Sequence, residues 1–152
     1  MSTRLRPHIA RLQAYVPGEQ IHAPGIIKLN TNENPYPPSP RVMRALRHAL
    51  DSSLRLYPEP LSDTLRNQAA VTYAVDAENV LAGNGSDELL SILTRCLIGK
   101  GDRVAYPVPT YTLYDTLVEI QEGESSTFDY LADFSLPESL AGANAALTFL
   151  CN

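Results

Sequence analysis

Lysine is nearly missing from this chain: among 152 residues only Lys28 and Lys100 carry an ε-amine. The net charge is −5 and no run of arginines compensates, so nucleic acid is not an expected partner. No apolar run reaches membrane-spanning length, and the opening Met1-Ser2-Thr3-Arg4-Leu5-Arg6-Pro7 lacks the apolar core of a signal peptide. A cytoplasmic protein without a membrane partner is the expectation. Cysteine is equally scarce. Cys96 and Cys151 stand in apolar contexts, which points to reduced core packing rather than a disulfide. The three histidines, His8, His22 and His48, have no ligand spacing, and no metal is expected. What is present suits one ordinary folded domain, at 44% hydrophobic and 19% charged residues, with no repeat or low-complexity tract.

Seven of the twelve prolines fall between Pro7 and Pro40, so the start of the chain, 1–38, reads as an irregular arm. A helix is predicted from Pro40 on the stripe Val42, Ala45, Leu46, Ala49 and Leu50. A second is predicted over 62–73, with Ser62 as its cap. These fill a helical segment, 39–75. From 76 to 152 short apolar runs alternate with helical patterns. Strands are predicted at 80–82, 103–106 and 125–128, and helices at 86–97 and 110–122. In the first of these helices Leu89, Ile92, Leu93, Cys96 and Leu97 are expected to face inward. The continuous apolar run 145–151 predicts a strand covered on both faces. The alternation is that of an α/β fold with a mostly parallel sheet. In such sheets the ligand crevice lies outside the carboxyl ends of the strands, close to where this sequence stops at Asn152, and a portion of a longer protein is therefore expected.

The most informative stretch is Gly83-Asn84-Gly85-Ser86-Asp87-Glu88. Two glycines let backbone approach an anion, and a helix starting near Asn84 or Ser86 aims unpaired N–H groups and its positive dipole end at the same point. By itself the turn is equally a capped connection. A dinucleotide fingerprint would need a third glycine where Glu88 stands, and no P-loop lysine follows, which counts against a nucleotide site. Asp87 and Glu88 suit the first turn of a helix, and Asp87 is expected to cap back toward Asn84.

Four segments in this order and spacing resemble the fold-type I pyridoxal-phosphate aminotransferases. They are 29–40 (Leu-Asn-Thr-Asn-Glu-Asn-Pro-Tyr-Pro-Pro-Ser-Pro), Tyr57-Pro58-Glu59-Pro60, the turn at 83–88, and 106–114 (Tyr-Pro-Val-Pro-Thr-Tyr-Thr-Leu-Tyr). The resemblance implies an α/β/α sandwich large domain beginning at 76, joined through 39–75 to a small domain, and pyridoxal 5′-phosphate as cofactor. It implies cofactor contacts from Gly85, Ser86 and Asp87 at the phosphate, Tyr111 stacked on the pyridine ring, and Tyr57 reaching a partner's phosphate across a homodimer. Substrate contacts are implied for Tyr15, Asn32, Glu33 and Asn34. Taken without the resemblance, Tyr57 is also an exposed turn residue, Tyr111 a core tyrosine and 30–35 a hydrogen-bonded loop. Tyr114 is expected in the core.

The implied reaction moves an amino group between small molecules, L-histidinol phosphate and 2-oxoglutarate, in histidine synthesis. A threonine-phosphate decarboxylase, an aromatic-amino-acid aminotransferase and a non-catalytic phosphate-binding module remain the alternatives. Such chemistry requires a lysine bonded to the cofactor. Neither Lys28 nor Lys100 stands in a context that desolvates an amine or matches the family, so no catalytic residue is assigned within these 152 residues.

Overall fold

The structure is a computed structural model and describes residues 4–12, 23–30 and 33–151. The chain forms two compact units, Met1–Tyr15 with Gly83–Asn152, and Val16–Ala82.

In the second unit, α1 (Pro40–His48) begins with proline in its first turn, where a missing N–H costs nothing, and Ser39 Oγ accepts from Val42 N at 3.4 Å. Its stripe is not buried: Val42, Leu46 and Leu50 are all exposed. Helix α2 (Asp63–Tyr73) runs as predicted, but Ser62 does not cap it. Ser62 adopts a left-handed conformation (φ 53°) and Glu59 takes over, accepting from Thr64 N at 2.9 Å and Thr64 Oγ1 at 2.7 Å. These two bonds, backbone first, hold the Glu59 carboxyl below its ordinary 4.5. A lowered folded value means the stabilisation is present above pH 4.5 and is lost as pH falls through the lower folded value. Hydrogen exchange at the Thr64 amide is therefore expected to be faster in Glu59→Ala than in wild type at about pH 6, with the difference shrinking as pH falls below 4.5 and through the lower folded value.

The strand predicted at 80–82 does not form. A 3₁₀ turn (Ala77–Asn79) precedes it, and the Arg66 guanidinium takes the carbonyls a strand would use: Nε donates to Val80 O at 2.8 Å and Nη2 to Ala77 O at 2.7 Å, while Nη1 pairs with Asp63 at 3.0 Å. The segment is tied to α2, with no neighbouring strand among the described residues.

The first unit holds the sheet, three parallel strands in the order β2 (Glu124–Asp129), β1 (Arg103–Val108), β3 (Leu147–Thr148). Around it lie α3 (Gly85–Leu97), α4 (Leu113–Ile120) and the short α5 (Glu138–Ala141). Strand β1 is buried on both faces from Val104 through Pro107. The apolar run 145–151 is not: Leu150 is 59% exposed, and only Leu147 and Thr148 pair with β1, extended by Ala146 N to Arg103 O and Phe149 N to Ala105 O, both 2.9 Å. Proline explains the early stop. Arg103 and Ala105 face β3 while the carbonyl of Val108 faces the β2 side, so by alternation Pro107 turns its missing N–H toward β3 and the ladder has no donor there.

Helix α4 is shorter than predicted at both ends. At its start the helix opens at Leu113, with Thr112 at the cap position. At the other end Glu122 is left-handed (φ 57°), Gly123 N donates to Val118 O at 3.0 Å and Glu122 N to Glu119 O at 3.1 Å, a paired closure that ends the helix. A Cβ on Gly123 would come within 2.8 Å of Ile98 Cγ2, so glycine is required at this crossing. The inward side of α3 is also rotated from expectation. Thr94 and Ile98 are buried with Leu90 half-buried, whereas Leu93, Cys96 and Leu97 are exposed; both cysteines are free and exposed, not core. The core consists of Ile98, Val104, Tyr106, Tyr114, Val118 and Phe149. Among the described residues no helix is long and apolar enough to cross a membrane.

Candidate functional site

The turn at 83–88 opens α3 with Asn84 at the cap position, and the four N–H groups that a helix start leaves without intrahelical partners belong to Asn84, Gly85, Ser86 and Asp87. Two are satisfied locally. Asn84 N donates to Glu88 Oε2 at 2.6 Å, and Gly85 N to Gly83 O at 3.0 Å. Glu88, rather than Asp87, is thus the residue that reaches back to Asn84; its Oε2 also accepts from Asn84 Nδ2 at 3.1 Å. Gly83 makes room for this, because a Cβ there would lie 3.1 Å from Glu88 Oε2 and 2.9 Å from Leu89 Cδ2. Gly85 has φ +81°, a conformation that favours glycine, and the position its Cβ would take meets no atom within 4 Å. What remains at this helix start is the Ser86 and Asp87 N–H pair and the Ser86 hydroxyl, facing open space at the positive end of the dipole.

Tyr111 reaches the same turn from another element. It follows β1 through Pro109, at the carboxyl end of the parallel sheet, and its hydroxyl donates to Asp87 at 3.1 Å (Oδ2) and 3.3 Å (Oδ1). The ring is half-buried and stands edge-on to Tyr114, with centroids 5.9 Å apart and planes at 83°. Tyr114 is buried, as expected from the sequence, and stacks on Phe149 at 4.5 Å and 20°. Burial, then the neighbouring Cys151, pushes the Tyr114 phenol upward. Beneath this cluster the Asp115 carboxylate accepts from the buried Tyr106 hydroxyl and from Ser125 Oγ (2.9 Å), joining β1, α4 and β2. Burial first, and the Asp115 bond second, hold the Tyr106 phenol far above its usual range. The Thr110 hydroxyl, beside Tyr111, is buried with no hydrogen-bond partner.

Gly85, Ser86, Asp87 and Tyr111 therefore meet at one place. Glu33, Asn34 and Tyr57 belong to the other unit: Glu33 pairs with Lys28 at 2.9 Å, Asn34 Oδ1 accepts from Tyr36 N at 3.0 Å in a local turn, and Tyr57 is fully exposed. Tyr15 and Asn32 lie outside the described residues. The sequence did not single out the Asp115 junction or the Asp87 to Tyr111 bond. The Glu88 reach was signalled only by a glutamate four residues after the asparagine cap.

An anion with an attached flat ring fits these residues: unengaged N–H donors, a hydroxyl, a glycine that leaves space, and an aromatic face linked to the same turn. Lys100 is not placed beside them. Lys28 is in the other unit, and Lys100 precedes β1, so the length of a six-residue strand, roughly 20 Å, separates it from Tyr111. Lys100 is 81% exposed and lies 3.6 Å from Glu122. Among the described residues no group of three or more histidine, cysteine, aspartate or glutamate side chains could hold a metal ion.

A family model described as aminotransferase class I and II matches residues 24–139. The chain is 41% identical to histidinol-phosphate aminotransferase 1 of Trichormus variabilis, over 100% of this chain and 44% of that protein. It is 42% identical to histidinol-phosphate aminotransferase of Synechocystis sp., over 97% of this chain and 42% of that one. In structure it is similar to the histidinol-phosphate aminotransferase of Sinorhizobium meliloti solved in complex with pyridoxal-5′-phosphate, with TM-score 0.80 and 25% identity, covering 99% of this chain and 42% of that chain. The chain spans less than half the length of these relatives.

Proposed function

Because the chain belongs to the class I and II aminotransferase family, we propose that the whole protein transfers an amino group between L-histidinol phosphate and 2-oxoglutarate, giving imidazole acetol phosphate and glutamate, with pyridoxal 5′-phosphate as cofactor. The relatives' names support the substrate, and the junction of the Ser86 and Asp87 N–H pair with Tyr111 carries the cofactor reading. When bound, the cofactor draws electron density from the substrate's α-carbon.

The residues of this chain bind and orient. The N–H groups of Ser86 and Asp87, with the Ser86 hydroxyl, hold the phosphate dianion, aided by the helix dipole. Gly85 lets it approach. Tyr111 covers one face of the pyridine ring and fixes its plane, worth about 1 kcal/mol beyond burial. Glu88 spends its charge on Asn84 and Asp87 on Tyr111, so neither carboxylate need face the phosphate directly. The resemblance to the family is what proposes Asn32, Glu33, Asn34 and Tyr15 as substrate contacts of the whole protein. The amine that would bond the cofactor is not assigned to a residue of this chain.

The protein works as a homodimer in this reading, with Tyr57 reaching the partner's cofactor phosphate. This reading rests on the resemblance, and the full exposure of Tyr57 leaves its side chain open to such a contact. The test is glutamate formation by the full-length protein with L-histidinol phosphate and 2-oxoglutarate. Activity that requires added pyridoxal phosphate after its removal is the expected result. No glutamate from this donor, with turnover of L-threonine phosphate or aromatic amino acids instead, overturns the substrate assignment.

A further inference from the structure

Two parts of the cofactor seat come from elements far apart in sequence: the phosphate donors open α3, and the ring platform follows β1. In the cofactor the phosphate and the ring are joined by a short CH2–O linkage, so the two seats must be held within a narrow range of separations. The edge contact with Tyr114 packs against the Tyr111 ring. The front of the ring, its hydroxyl, is held by Asp87, whose backbone N–H is one of the phosphate donors. We infer that the Asp87 carboxylate is a positioning residue: by accepting the Tyr111 hydroxyl it locks the ring platform to the phosphate turn at the spacing the cofactor requires.

This also accounts for an acid at a place that must receive an anion. An aspartate at the third helical position is favoured by the dipole but opposes a phosphate. Turned onto the Tyr111 hydroxyl, it directs its charge to a donor and leaves its own N–H open. Asparagine at 87 would lose the charge and keep an acceptor oxygen; alanine would lose both. Comparing these two at constant charge isolates the hydrogen bond.

The inference rests on the cofactor reading above, and the experiment separates them. Pyridoxal phosphate is titrated into the full-length apoprotein carrying D87N or D87A, each with Tyr111 or with Y111F, and bound cofactor is followed by its absorption. With Tyr111 present, D87A is expected to bind about 3- to 10-fold more weakly than D87N, the range of one hydrogen bond, and in the Y111F background that difference disappears. Circular dichroism unchanged across the four variants keeps folding out of the comparison. Equal affinity of D87A and D87N with Tyr111 present, or a difference that persists in Y111F, overturns the positioning role while leaving the cofactor reading intact. Wild-type protein that fails to bind pyridoxal phosphate overturns both.

Discussion

Ser86→Pro is expected to abolish tight pyridoxal phosphate binding while leaving α3 in place. Proline suits the first turn of a helix, where its fixed φ matches and its missing N–H breaks no intrahelical bond. The residue before it must stay out of the right-handed helical region, and Gly85 already does so at φ +81°. The substitution therefore removes two phosphate donors, the Ser86 N–H and its hydroxyl, with little change to the fold. Hydrogen bonds to a charged acceptor contribute about 1.5–3 kcal/mol each, so affinity should fall by about 10²- to 10⁴-fold. Ser86→Ala, which deletes the hydroxyl alone, should lose about 10-fold or somewhat more. Cofactor titration of the full-length protein reads this directly, with far-UV circular dichroism as the check on the helix. Binding by Ser86→Pro within about threefold of wild type would place the phosphate elsewhere.

The second large effect is expected on stability, from Phe149→Ala. Phe149 is 5% exposed, stacks on Tyr114 at 4.5 Å, and its N–H closes the last bond of the β3 ladder to Ala105 O. Truncating a buried phenylalanine removes its transfer energy and leaves a cavity, together about 3–5 kcal/mol. Here the cavity lies between the sheet and α4, and Tyr114 would tilt into it. Since Tyr114 backs Tyr111, cofactor binding should weaken as well, although no group that touches the cofactor has changed. The unfolding midpoint in urea measures the first effect and cofactor titration the second. A loss below about 1 kcal/mol would mean that the site collapses freely and that the aromatic stack does not hold the platform.

Several elements were legible because their signals are local. Pro40 after Ser39 marks the start of α1, the alternation after 76 marks a parallel sheet, and the glycine turn marks the start of α3 to within a residue. Where reading from sequence failed, a distant partner intervened. The run 80–82 has the composition of a strand, but Arg66, fourteen residues before Val80, takes its carbonyl. Ser62 has the chemistry of a cap, but Glu59 fills that place from outside the helix. Cys96 and Leu97 looked inward because apolar residues ring much of α3, and only packing chose the face bearing Leu90, Thr94 and Ile98.

The same division holds for the site. The amino-acid order alone determined that a glycine turn opens a helix at 83–88 and that a tyrosine follows a strand at 111, since both depend on backbone geometry over a few residues. Only the tertiary structure decided that the two meet, with the Asp87 carboxylate accepting the Tyr111 hydroxyl and Glu88 turned back onto Asn84. Which donor a carboxylate selects depends on what the fold brings within about 3 Å of it, and that is set by packing between elements rather than by neighbours in the chain.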